Sequence, residues 1–107
     1  MVETNNDKAP EQALTLRQKL NLETAKIAWH ELQVSFARGN IVVVDADYDL
    51  IEVAEAISQD NNDLISQLIA SGKVLRPDAN WVKQNTTLDT TFWALVVIPF
   101  VIIQKVS

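Results

Sequence analysis

An uninterrupted apolar run near the C-terminus constrains this chain more than any other feature. It extends from Phe92 to Ile103 and consists mainly of β-branched and aromatic residues, which favour a pleated strand over a helix. The run is too short to cross a bilayer as a helix, which takes about 20 residues. Because strands buried on both faces read as nearly continuous apolar runs, we predict that this segment is the central strand of a sheet.

Length and composition indicate one globular domain. The chain has 107 residues, of which 48% are hydrophobic, and this is enough for a single core. Residues 1–13 are polar and predict a flexible leader, which leaves residues 14–107 for the domain. The first residues lack the apolar core of a signal peptide, so we expect a cytoplasmic protein.

Charge and cysteine content exclude several classes of function. The formal net charge is −5, and the nine basic residues are scattered singly, whereas nucleic-acid binding requires clustered Lys and Arg. The chain has no cysteine, which rules out disulfides, thiolate nucleophiles and thiolate metal ligands. We therefore expect no nucleic-acid partner and no membrane partner.

The first half of the chain predicts helices around one short strand. Thr15 and Gln18 form a capping-box pattern, and two helical rows follow, which we interpret as two helices with a bend near residues 27–28 and an end at Gly39. The strand Ile41–Val44 comes next. Asp49 is predicted to cap the following helix, with Glu52 at the capping-box position.

The second half predicts further helices and two strands. Residues 59–62 interrupt the helix that follows Asp49, and the next helix ends at Gly72. An edge strand is predicted over residues 73–76, and Asp78 is predicted to cap a short helix. Pro99 requires a bulge or break within the apolar run.

These elements predict an α/β or α+β domain. Its three-stranded sheet would comprise residues 41–45, 73–76 and 92–103 and would be covered by four or five helices. A sheet of only three strands with such an apolar central strand leaves much apolar surface uncovered. We therefore expect self-association as a homodimer.

Several short segments, taken in order, resemble a known family. They are Trp-His-Glu-Leu at residues 29–32, Asp-Leu-Ile-Glu-Val-Ala at 49–54 and Trp-Ala-Leu-Val-Val-Ile-Pro at 93–99. The pattern resembles a family of small bacterial proteins that consist of a domain of unknown function, and the resemblance covers residues 15 to 104. This chain has Ala28 where the family usually has Ser, Thr or Pro. The resemblance implies one intact bacterial domain and no catalytic residue.

Three alternating acids, Asp45, Asp47 and Asp49, are the most suggestive group for chemistry. If the loop is extended, alternate residues share a side and the three carboxylates converge. Oxygen ligands of this kind suit Mg²⁺ or Ca²⁺. The alternative interpretation is that Asp49 caps a helix while Asp45 and Asp47 form Asx turns.

Two known acidic motifs match the loop only in part. A calcium-binding loop starting at Asp45 would have Leu50 in place of the turn glycine and Ala56 in place of the final glutamate. The strand followed by Asp45-Ala46-Asp47 resembles the opening motif of haloacid-dehalogenase-like enzymes, in which the first Asp is the nucleophile and the second the general acid/base. Asp49 stands where that pattern has Thr or Val, and the chain is too short for the remaining motifs.

His30 is the sole histidine, so imidazole acid/base chemistry would have to use it, with Glu23 or Glu31 as a partner. No nucleophile stands at a spacing that indicates a triad. We therefore expect a non-enzymatic interaction or regulatory module that self-associates. The alternative is a small-ligand or metal-dependent, hydrolase-like site at the loop of Asp45, Asp47 and Asp49, at the carboxyl end of the strand Ile41–Val44.

Overall fold

The computed structural model of the protein describes residues 14–106, and the leader predicted for residues 1–13 lies outside them. The helices are α1 (Leu16–Glu23), α2 (Gln33–Ala37), α3 (Leu50–Ser58), α4 (Asn62–Ala70) and α5 (Ala79–Asn85), with a 3₁₀ turn at Trp29–Glu31. The strands are β1 (Ala25–Ala28), β2 (Ile41–Val44), β3 (Val74–Leu75), β4 (Thr91–Val97) and β5 (Phe100–Lys105).

The five strands form one mixed sheet in the order β1-β4-β5-β2-β3. Strand β5 runs parallel to β2, and the other three pairings are antiparallel. The C-terminal strand therefore lies at the centre of the sheet. The parallel pair brings the carboxyl ends of β2 and β5 to the same edge, next to the loop that leads into α3.

Helices cover both faces of the sheet, and each face has its own core. Along β2, Val42 and Val44 pack into the first cluster, which includes side chains of α1, α3 and α4. Ile41 and Val43 point the other way, into a cluster built around Trp29 and Phe92. This alternation is what a strand buried on both faces requires.

The predicted mixed α and β class is confirmed, but the three-stranded sheet is wrong. Strand β1 was predicted as part of a helical segment. Instead α1 ends at Glu23, and β1 pairs with the first four residues of β4. The sequence Ala-Lys-Ile-Ala has little intrinsic preference for a strand, so its conformation follows from pairing with β4 and not from local propensity.

The single strand predicted over residues 92–103 is also wrong, because the run folds back as the hairpin of β4 and β5. The break predicted at Pro99 is its turn, and the Ile98–Pro99 peptide is cis. Burial on both faces holds only for part of the run. Trp93 is 36% exposed, Val96 56% and Ile98 87%.

The local signals for helix ends are confirmed. Thr15 forms a complete capping box with Gln18, and the side chains of Asp49, Asn61 and Asp78 cap α3, α4 and α5. Gly39 and Gly72 have the positive φ angles expected at helix ends. The capping box predicted at Glu52 is wrong, because the Glu52 carboxylate accepts a hydrogen bond from the Tyr48 hydroxyl and Asp49 alone caps α3. The predicted edge strand is the two-residue β3.

Candidate functional site

The acidic loop between β2 and α3 is a turn and not an extended segment. The amide of Tyr48 donates to the carbonyl of Asp45 at 3.0 Å, and the amide of Asp45 donates to the carbonyl of Lys73 at 2.8 Å. The alternation that would bring three carboxylates to one side requires an extended backbone. In this turn, the three acidic side chains therefore do not share one side of the backbone.

Two of the three carboxylates pair with cations from other parts of the chain. Asp45 Oδ2 lies 3.4 Å from Lys73 Nζ, and Asp49 Oδ2 lies 2.6 Å from Arg17 Nη2. Asp49 also caps α3, since its Oδ1 accepts from the Ile51 amide at 2.9 Å. Asp47 is exposed. Within residues 14–106, no three His, Asp or Glu side chains are grouped closely enough to hold a metal ion.

Tyr48 and Gln104 join this loop to the sheet. Gln104 Nε2, on β5, donates to the carbonyls of Asp45 at 2.9 Å and Tyr48 at 2.5 Å. The hydrogen bond from the Tyr48 hydroxyl to Glu52 raises the pKa of Tyr48 above its ordinary value, and desolvation and the charges of Glu52 and Asp49 raise it further. The loop is therefore held at the carboxyl ends of β2 and β5.

An open cleft of about 410 Å³ lies beside this loop. Its walls include Tyr48, Asp49 and Gln104, together with the partly exposed ring of Trp93. Lys26 Nζ lies 5.0 Å from the centroid of the Trp93 ring, within the range of a cation–π contact. The cleft thus combines hydrogen-bonding groups with two aromatic side chains.

His30 does not line the cleft beside the acidic loop. It is exposed in the 3₁₀ turn, and its backbone amide donates to the carbonyl of Leu88 at 3.2 Å. The neighbouring Trp29 is buried, and its ring centroid lies 6.2 Å from that of Trp81 and 6.0 Å from that of Phe92. The two tryptophans therefore belong to the core, and the third, Trp93, borders the cleft.

Strand β4 has an open edge at its C-terminal end. Strand β1 pairs only with Thr91–Ala94, so within the described residues no strand pairs with Leu95–Val97 on that side. The side chain of Leu95 is buried, whereas Val96 is 56% exposed and the adjoining Ile98 is 87% exposed. We call Leu95–Val97 with Ile98 the open edge.

The two outer strands of the sheet differ from the open edge because each carries charge. The four residues of β1 include the exposed Lys26, and the two residues of β3 stand between Lys73 and Arg76, with Pro77 after them. Lysine, proline and short length are the usual devices that prevent edge-to-edge association. The open edge carries no charge from residue 95 to residue 98.

Sequence reasoning missed the open edge because it depends on where β1 stops. The apolar run itself did indicate an interaction surface, because so many apolar side chains must be covered by the protein or by a partner. Val96 is exposed because the run forms two strands and β1 pairs only with the first four residues of β4. Neither feature can be predicted from the run alone.

None of the helices within residues 14–106 is long and apolar enough to cross a membrane.

Comparisons with known proteins agree with the resemblance noted in the sequence. The family model described as "Protein of unknown function (DUF2288)" matches residues 15–105. The NMR solution structure of PA1075 from Pseudomonas aeruginosa is 42% identical, with a TM-score of 0.77 over 91% of this chain and 90% of that chain. A search of curated proteins gave no match.

Proposed function

This chain belongs to the DUF2288 family of proteins of unknown function, and from the geometry of its sheet we propose that it is a non-catalytic interaction module that pairs with a second copy of itself. The open edge carries the proposal. It is apolar, contains no charged or proline residue and includes Val96, which is 56% exposed, whereas the outer edge of β1 carries Lys26 and the two residues of β3 lie between Lys73 and Arg76.

Pairing between two open edges would provide hydrogen-bond partners for their backbone groups and would cover their exposed apolar side chains. Unpaired N–H and C=O groups at a strand edge are a template for a strand of another chain. An antiparallel pairing about a two-fold axis would place the same residues of both copies together and extend the sheet across the dimer. Val96 and Ile98 would then be covered by their counterparts.

The distribution of possible catalytic groups supports a non-catalytic role. His30 is exposed on the 3₁₀ turn and does not line the cleft beside the acidic loop, and Asp45 and Asp49 are paired with Lys73 and Arg17. General acid/base catalysis requires groups that converge on one reacting atom.

Sedimentation of the full chain and of matched variants tests the proposal. We expect the wild type to form dimers as its concentration rises into the millimolar range, and Val96→Lys to remain a monomer, because a lysine at the edge opposes strand pairing. Val34→Lys is the control, since Val34 is 63% exposed on α2, far along the chain from the open edge. A wild type that stays monomeric, or equal effects of the two variants, would contradict the proposal.

A second candidate is a cation or small-ligand site at Asp45, Asp47 and Asp49, as the sequence suggested; binding a cation would require the loop to rearrange, because these carboxylates are not grouped in the described residues. One observation favours it: the acidic loop borders a cleft at the carboxyl ends of the parallel strands β2 and β5, where open α/β sheets commonly bind ligands. Mg²⁺ or Ca²⁺ would be the ions that suit carboxylate oxygens.

Thermal unfolding with and without Mg²⁺, Ca²⁺ or Mn²⁺ distinguishes this second candidate from simple capping. A bound ion at 100 times its Kd should add about 2.7 kcal/mol to the free energy of unfolding. Asp45→Asn should abolish that gain. An unchanged melting temperature across the three ions, in wild type and variant alike, would eliminate the site.

A further inference from the structure

An apolar groove lies at the other end of the sheet from the acidic loop. It has a volume of about 280 Å³ and runs between α3, α4, β3 and the start of β5. This volume lies just below the range of about 300–1,000 Å³ that is usual for drug-sized ligands, so the groove suits a smaller molecule. Its apolar walls include Ile57, Ile65, Ile69, Val74, Leu75 and Phe100.

Two opposite charges line this groove, from Asp60 and Arg76. They make no ion pair with each other at 4 Å or less, and within residues 14–106 neither side chain pairs with another charged group. The guanidinium of Arg76 donates one hydrogen bond to the carbonyl of Gly39 and lies 5.7 Å from the ring centroid of Phe100. An arginine has five N–H donors, so donors remain for a ligand.

The backbone at Asp60 is fixed by the end of α3 and not by its carboxylate. The φ angle of Asp60 is 55°, a conformation that glycine adopts most readily at a helix end. The amide of Asp60 donates to the carbonyl of Ile57 at 3.2 Å, and the next amide, of Asn61, donates to that of Ala56 at 2.8 Å. Among the described residues the carboxylate makes no hydrogen bond that the helix end needs.

We propose that this groove binds a small zwitterion with a branched aliphatic side chain, of the chemical class of the aliphatic α-amino acids. The apolar walls take the side chain, Arg76 takes the carboxylate and Asp60 takes the ammonium group. Charge-assisted hydrogen bonds of this kind fix orientation and chemical class. A simple carboxylic acid would leave Asp60 without its counter-charge, and a simple amine would leave Arg76 without its own.

This inference is independent of the proposed self-association, because the groove lies beside β3 and the open edge belongs to β4. A protein that fails to dimerise can still bind the zwitterion, and a dimer can form with the groove empty.

Titration of the full chain with L-leucine tests the proposal, with binding followed by calorimetry and by amide chemical shifts. We expect saturable binding, with shifts concentrated at groove residues such as Ile65 and Leu75. Isocaproate lacks the ammonium group and isopentylamine lacks the carboxylate, and each should bind at least about tenfold more weakly, which corresponds to about 1.4 kcal/mol.

Two charge-removing variants assign the two ends of the ligand. Asp60→Asn should weaken leucine at least about tenfold and leave isocaproate unchanged, whereas Arg76→Gln should weaken leucine and isocaproate and leave isopentylamine unchanged. Arg76→Gln also loses the bond to Gly39, so Asp60→Asn, whose backbone bonds are kept, is the deciding variant. No saturable binding of leucine at millimolar concentration would overturn the proposal. Equal binding of all three compounds, or no effect of Asp60→Asn, would overturn it too.

Discussion

Tyr48 is the sole tyrosine of the chain, so its ionisation can be followed in ultraviolet difference spectra as a single event. Its hydroxyl donates to Glu52 in the first turn of α3. This bond exists only while the phenol is protonated. The residue therefore reports directly on whether the acidic loop is docked against α3.

We expect the tyrosinate of the folded protein to appear with a midpoint above the ordinary value near 10, because the hydrogen bond to Glu52, desolvation and nearby negative charge all raise the pKa of Tyr48. The folded state then holds this proton more tightly than the unfolded state. Its contribution to stability is complete below pH 10 and is lost as the pH rises through the raised pKa.

Glu52→Ala should return the midpoint toward the ordinary value, since it removes both the acceptor and the charge while alanine maintains α3. A wild-type midpoint at or below 10, or a midpoint that Glu52→Ala leaves unchanged, would show that the loop does not dock as described.

The acidic residues illustrate how far sequence reasoning reaches at this scale. Capping by Asp49 was predictable because a cap is a contact between residues close in sequence. The partners of the acidic side chains were not, because Lys73 lies 28 positions from Asp45 and Arg17 lies 32 positions from Asp49. Only the fold brings such residues together.

At the scale of elements, the C-terminal end of β4 has one packed face and one open face. Leu95 is 1% exposed and belongs to the cluster beneath α1, α3 and α4. Val96, the next residue, is 56% exposed on the opposite face. The C-terminal end of β4 is therefore held in place by one face and leaves the other available for contact, whereas Phe92 and Ala94, earlier on that second face, are buried.

We therefore expect Leu95→Ala to lower the free energy of unfolding by about 2–5 kcal/mol, the usual cost of a cavity left by a buried leucine. The matched control is Leu88→Ala, since Leu88 is 57% exposed and its truncation should change stability by no more than about 0.5 kcal/mol. Urea denaturation of both variants is the measurement. Similar losses in the two would mean that β4 does not pack as described.

Helices and strands were predicted correctly where residues close in sequence determine them. The prediction failed where pairing between strands determines the secondary structure. Helix ends at Thr15, Asp78 and Gly72 follow from capping side chains and positive φ. Strand β1 has no such signal, because Ala-Lys-Ile-Ala becomes a strand only beside β4. The hairpin was missed for a related reason: a continuous apolar run hides the alternation that would separate two strands.

At the scale of the whole molecule, the edges of the sheet differ in charge, and the proposed self-association depends on this difference. Its outer strands carry Lys26 and the charged flanks of β3, whereas the open edge of β4 carries no charge. The groove of Asp60 and Arg76 lies toward the other outer strand. The two proposals thus assign an interaction surface to the edge of β4 and a ligand site to the groove beside β3.

The most direct test of the central claim is amide hydrogen exchange at Leu95–Val97, measured over a series of protein concentrations. Because successive amides along a strand point to opposite sides, at least one of these three faces the open edge. If two copies pair through this edge, the exchange of that amide slows as the protein concentration rises. The amides of β1, on the outer edge of the sheet, then exchange at a rate that does not depend on concentration. Exchange at Leu95–Val97 that is independent of concentration would contradict pairing through this edge.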